Sequence, residues 1–125
     1  MSKFRTSLLA AAFAAAACGT ALAGDVTGVW MRSDGKTKVQ FSPCGAAVCG
    51  VVAWNEDKNA PAHIGQHVFN DMRPAGENEW SGSAFNPEDG KTYSGKMSLA
   101  GNILTTSGCA LGGLICKSMT WSRSN

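Results

Sequence analysis

Val26-Thr27-Gly28-Val29-Trp30-Met31-Arg32 has the length of a β-strand and alternates its large residues. Trp30 is the largest apolar side chain in this part of the sequence. Gly28, two residues earlier on the same face, leaves a gap where another strand or side chain can come close. Near the far end, Thr120-Trp121-Ser122-Arg123 alternates in the same way, with a Trp and an Arg on one face. The two stretches predict that the last strand returns beside the first and closes an antiparallel barrel. Arg123 then lies over an indole ring at one end of it.

Between these stretches the chain is a series of short strands and hairpin turns. Asp34-Gly35 separates the first strand from Thr37 to Phe41, in which Val39 and Phe41 point inward and Lys38 and Gln40 outward. Pro43 is expected to end that strand. Gly50 to Trp54 is an apolar strand, and Asn55 to Gly65 is the longest irregular connection. His67 to Met72 reads as a short strand or a turn of helix, since periodicity does not separate the two. Arg73 to Asn78 reads as loop. Glu79 to Phe85 is a strand weakened by Gly82. Asn86-Pro87-Glu88-Asp89-Gly90-Lys91 is a turn in which Pro87 presets φ and Gly90 takes the left-handed position. Tyr93, Gly95, Met97 and Leu99 then share one face of the next strand. Ile103 to Ser107 and Lys117 to Arg123 complete about eight strands. The fold class is all-β, a small antiparallel up-and-down barrel. Eight strands leave room for packed side chains or one small ligand.

Met1 to Ala23 reads as a helical signal peptide: Lys3 and Arg5, an apolar run from Leu8 to Ala17, and the small-x-small site Ala21-Leu22-Ala23. A lipidated Cys18 is the rival reading, but Ala15 stands where Leu is usual three residues before such a cysteine. Residues 24–125 form the single barrel domain, exported to the periplasm or the medium. Removing 23 of the 125 residues leaves 102, enough for one modest core. Lys3 and Arg5 leave with the leader, so the formal net charge of +2 falls to zero. A neutral chain has no electrostatic footprint for nucleic acid. No later run is long enough to be a transmembrane helix.

Cys44, Cys49, Cys109 and Cys116 remain. In an exported chain an even count reads as two disulfides. Of the three pairings, Cys44–Cys49 with Cys109–Cys116 fits best, since each pair flanks a short Gly/Ala-rich tip. A zinc site lacks the Cys-x-x-Cys spacing.

Pro43 to Gly50, Asn86 to Tyr93 and Thr120 to Arg123, with Gly28-Val29-Trp30 before them, together resemble one exported bacterial family, domain of unknown function twenty-one forty-seven. The resemblance spans nearly all of the chain after the leader. It implies a lipocalin-type (calycin) barrel that binds a fatty acid or another lipid. The Gly-x-Trp start and the late Arg are similar to the lipocalin pairing, in which the Arg packs across the Trp at the closed end. This chain is far shorter than a lipocalin and lacks an obvious C-terminal helix. Many relatives lack the Cys109/Cys116 pair.

Gly28, Trp30, Trp121 and Arg123 are thus the candidate closure residues. Arg123 has a second candidate role, holding a ligand carboxylate by a bidentate pair, and Tyr93 has one as a hydroxyl partner. Trp54, Phe69, Phe85 and Met97, with Phe41 and Met119, are expected to line an apolar interior. His63 and His67 with Asp57 and Asp71 form a conceivable metal set in a polar loop. No metal or cofactor is expected. No nucleophile elbow, Cys–His pair or supported carboxylate pair is present, so no enzyme is expected. The expected partner is a small apolar or fatty-acid-like ligand. The alternative is a ligand-free module that docks on an envelope protein through its loops, especially Asn55 to Gly76.

Overall fold

A computed structural model describes residues 25–124. Eight antiparallel strands close into one barrel in sequence order: β1 (Gly28–Arg32), β2 (Thr37–Cys44), β3 (Ala47–Asn55), β4 (His67–Gly76), β5 (Glu79–Asn86), β6 (Lys91–Ala100), β7 (Ile103–Ala110) and β8 (Ile115–Ser124). A 3-10 turn, Leu111–Gly113, forms the tip between β7 and β8. The expected signal peptide and Cys18 lie outside the described residues. Among the described residues no helix is long and apolar enough to cross a membrane.

The seam is the one expected from the two ends of the chain. β1 pairs with β8, Trp30 opposite Arg123 and Arg32 opposite Trp121. Closure leaves no free sheet edge. Alternation then sorts the side chains: on β6, Gly95, Met97 and Leu99 are buried while Ser94, Lys96 and Ser98 are exposed. Apolar-in and polar-out is the reverse of a membrane-spanning barrel, whose outer face is apolar.

Two boundaries differ from the sequence reading, for one reason. β2 continues through Pro43, which pairs with Val48, and β4 continues through Pro74, which pairs with Trp80. The β1 partner of β2 stops at Phe41, and the β3 partner of β4 stops at Met72. Each proline therefore lies where its strand has one neighbour, and the missing N–H costs no ladder bond. His67 to Met72 is strand. Of the segment Asn55 to Gly76, only residues 56–66 are loop.

The two ends of the barrel differ. One carries Val26, the Cys44–Cys49 tip and the β4–β5 and β6–β7 turns. Trp30, Phe41, Met72, Trp80, Met97, Leu99 and Leu104 fill that half. The other end carries the β1–β2, β3–β4 and β5–β6 connections and the β7–β8 tip.

Both local disulfides are present, at sequence separations of 5 and 7. Each closes a short loop, so by chain entropy each contributes roughly 2 kcal/mol. The barrel protein is expected to show no titratable thiol when denatured without reductant. Reduction is expected to lower its melting temperature by roughly 10 °C or more. Two or more free thiols per chain would reject the double-bridge arrangement.

Candidate functional site

The half of the barrel opposite the packed core is hollow. A cavity of about 480 Å³ opens between the β3–β4 loop, the β5–β6 turn and the β7–β8 tip. It exists because inward positions near this end are small: Ala84 on β5, and Thr106, Gly108 and Ala110 on β7. A side chain on Gly108 would enter the space beside Tyr93 and Ala84, 3.6 and 3.9 Å from their Cβ atoms. Val39, Val52, Val68, Phe69 and Trp121 form the deeper walls. The Phe69 ring lies edge-on to Trp121 at 6.3 Å and tilted to Phe41 at 5.4 Å, which fixes the floor. Trp121 donates its indole N–H to Thr106 Oγ1 at 2.9 Å, so the polar edge of the ring is satisfied within the apolar wall.

Of the residues expected inside, Phe69 and Phe85 line this space, and Tyr93 stands half-buried at its mouth. Met119 lines it from β8, exposed because the neighbouring space is hollow. Phe41 and Met97 point inward but pack in the filled half; the expectation that Met97 lines the ligand space is corrected by its depth.

Trp54 requires a second correction. It is 38% exposed and lies on the outer surface, with the Lys38 ammonium 5.7 Å from its ring centroid. The cause is a bulge. Lys38 pairs with Trp54 and Val39 with Val52, so Ala53 is an extra residue and Trp54 loses the inward phase of Val52.

Arg123 is the third correction. It lies near the last residue of β8, at the end away from the cavity, and does not line it. Its guanidinium carbon sits 4.4 Å from the Trp30 ring centroid. Nη1 donates to the Thr27 carbonyl at 3.1 Å and Nη2 to the Asp25 carbonyl. Those contacts, with Trp30 wholly buried, make Arg123 a clamp on the closed end. Hydrogen bonds from the Thr27 backbone and hydroxyl hold the Asp25 carboxyl below its ordinary range, and the Arg123 charge adds to this.

The charged groups at the mouth are Arg32, Glu88, Asp89 and Lys117. Arg32 is spent on Asp34, in an ion pair at 2.9 Å. Among the described residues no cluster of three His, Cys, Asp or Glu is placed to hold a metal.

Tyr93 donates its hydroxyl to the Asp89 carboxylate. That bond raises the phenol above its ordinary pKa of 10.0. The same bond, followed by one from the Lys91 backbone N–H, lowers Asp89. The signs follow from linkage. The raised phenol favours the fold at pH below about 10 and loses that contribution as pH climbs through its folded value. The lowered carboxyl favours the fold above about pH 3.9 and loses its contribution as pH falls through its folded value. Tyr93 is the chain's single tyrosine, so phenolate absorbance near 295 nm reads this group alone. Its midpoint is expected above 10 and to return towards about 10 in Asp89→Asn. An identical midpoint in both proteins would remove the bond from the mouth.

Trp121, Thr106 and the small residues of β7 are cavity residues that residue-by-residue reading missed. Their signal was weak: a Trp assigned to closure, and a Gly at an inward phase.

A family model described as "Uncharacterized protein conserved in bacteria (DUF2147)" matches residues 28–123. Among solved structures, the chain is similar to protein HP1028 from the human pathogen Helicobacter pylori, described as belonging to the lipocalin family. The TM-score is 0.64 at 20% identity, over 81% of this chain and 84% of that one. At that identity the likeness is one of fold. No curated protein matches the sequence significantly.

Proposed function

The chain belongs to the bacterial family defined by that model, and from this premise we propose that it is a non-catalytic carrier of one small apolar or fatty-acid-like molecule. The observation that carries the reading is the hollow half of the barrel, about 480 Å³, with apolar walls and a polar mouth. Ligand sites of this kind span roughly 300–1,000 Å³ and combine apolar walls with a few placed polar groups. Phe69, Phe85 and Trp121 would hold the apolar body, with Tyr93 and Lys117 nearest to any polar end. Arg123 takes no part. The leader would deliver the protein to the periplasm or the medium, an oxidising compartment in which its two disulfides persist.

Displacement of a dansylated fatty acid by unlabelled long-chain fatty acids tests the reading. Ala84→Trp, which puts a large ring into the cavity, is expected to weaken probe binding at least tenfold while the far-UV CD and a cooperative thermal melt show the barrel still folded. Absence of probe binding by the folded wild-type barrel at high micromolar protein would overturn the carrier reading.

A further inference from the structure

Seven large apolar residues are conspicuously exposed among the described residues: Trp54, Ile64, Ile103, Leu111, Leu114, Ile115 and Met119. All but Ile103 belong to the hollow half of the barrel or its rim. Leu114 is 85% exposed, Leu111 69% and Ile64 66%. They stand in two groups. Trp54 and Ile64 belong to the end of β3 and the loop after it, whereas Leu111, Leu114 and Ile115 form the β7–β8 tip. In a closed ring of eight strands those two connections lie opposite each other across the mouth.

Turn chemistry does not account for the tip. Leu111 is held at φ 53°, where Gly, Asn or Asp would be cheaper. Gly112 and Gly113 follow, also at positive φ, and Cys109–Cys116 staples the base of the tip. The tip thus presents two leucines and an isoleucine to water with their arrangement fixed beforehand. The rim charges nearly cancel, so the rim is neither drawn to nor repelled by a charged headgroup layer as a whole. Arg32, Lys36, Lys38, Lys58, Lys91 and Lys117 stand against Asp34, Glu56, Asp57, Glu88 and Asp89, six cations to five carboxylates.

We propose that this end of the barrel docks on a lipid bilayer, with Trp54 and Ile64 on one side of the mouth and Leu111 and Leu114 on the other entering the interfacial layer. A globular partner touching both sides would cap the cavity. A fluid layer touches both and sets the entrance against the phase that dissolves an apolar ligand. Trp with a neighbouring Lys suits the headgroup level, where an amphipathic ring and a cation find their partners. A nearly balanced rim makes docking depend on buried apolar area rather than on anionic lipid, so it responds little to salt. The inference rests on the carrier reading for what passes through the mouth and for the choice of a lipid layer over a protein that would cap it.

Flotation of the chain from Gly24 onward, which contains the whole closed sheet, with phosphatidylcholine vesicles is the test. Brominated acyl chains report on Trp54, the single tryptophan among the four that is exposed. The wild type is expected to co-float at both low and high salt, with its emission partly quenched. The double variant Leu111→Asp/Leu114→Asp is expected to partition at least tenfold more weakly. Its melting temperature and its probe displacement in solution should be unchanged, since neither leucine lines the cavity and Asp tolerates the left-handed φ of Leu111. Three results would overturn docking: a wild type that does not float, a variant that floats equally well, or a wild-type dimer that the variant converts to monomer, which would make a second copy the occupant. A wild type that displaces the probe but does not float rejects docking and leaves the carrier standing. A wild type that floats without displacing the probe does the reverse.

Discussion

Trp30→Ala is expected to cost about 3–5 kcal/mol, the range for truncating a buried aromatic to alanine. Trp30 has no exposed surface and anchors the packed half of the barrel. Its indole N–H donates to the Val26 carbonyl at 2.8 Å, folding the segment before β1 across the barrel end. Truncation removes the ring, orphans that carbonyl and leaves the Arg123 guanidinium without the face it covers. A domain of this size has about 5–15 kcal/mol in all. The loss is therefore about a fifth of its stability at the least, and the melting temperature should fall by roughly 12–40 °C. Trp30→Phe keeps a ring and loses one hydrogen bond, so about 1–2 kcal/mol is expected. A Trp30→Ala protein that melts within a few degrees of the wild type would mean that closure does not depend on this ring.

Arg123→Ala separates clamp from anchor. The cation–π contact and two hydrogen bonds to backbone carbonyls, on a side chain largely open to water, give an expected loss of about 1–2 kcal/mol. Probe affinity should not change, because the residue lies at the opposite end from the cavity. Weaker binding by a barrel of unaltered stability would return Arg123 to the ligand.

The architecture was legible because closure depends on patterns that alternation preserves. Gly28, Trp30, Trp121 and Arg123 lie in two short stretches free of bulges, so their phase in the sequence is their phase in the barrel. The turns Asp34-Gly35 and Asn86 to Gly90 were readable because their backbone needs particular residues. The interior was less legible, since one extra residue reverses a face: Ala53 turns Trp54 outward, and no composition signal announces such a bulge. The cavity was harder still. Its volume comes from side chains that are small or missing at Ala84, Gly108 and Ala110, and a small residue in a strand looks the same whether it borders a void or a packed neighbour. Arg123 was readable as a cation facing an indole, yet which end of the barrel was hollow required the whole sheet.

Gly82→Ala adds one methyl group and is expected to cost about 3 kcal/mol, the upper end of what overpacking usually takes. A Cβ at this position would lie 2.4 Å from the Asp71 carbonyl oxygen and 2.6 Å from that of Asn70. Both are backbone atoms, so no rotamer change relieves the clash. They come this close because β4 bulges. Asn70 pairs with Ser83 and Arg73 with Ser81, so Asp71 and Met72 together oppose Gly82 alone. Asp71 sits at φ 53° to make the bend, and the bend delivers Met72 into the core with no exposed surface. Unwinding the bulge to admit a methyl group would turn Met72 out of the core, since a one-residue slip reverses the face of every residue beyond it. The chain must either hold the clash or lose the burial of a methionine. The neighbouring exposed Ser81→Ala should stay within about 0.5 kcal/mol, and Asp71→Gly should be neutral or slightly stabilising, because it relieves the left-handed backbone at the bulge. Denaturant melts of the three variants decide the matter: equal stability of Gly82→Ala and Ser81→Ala would mean that the bulge does not press on β5 and that Gly82 is an incidental weak point in its strand.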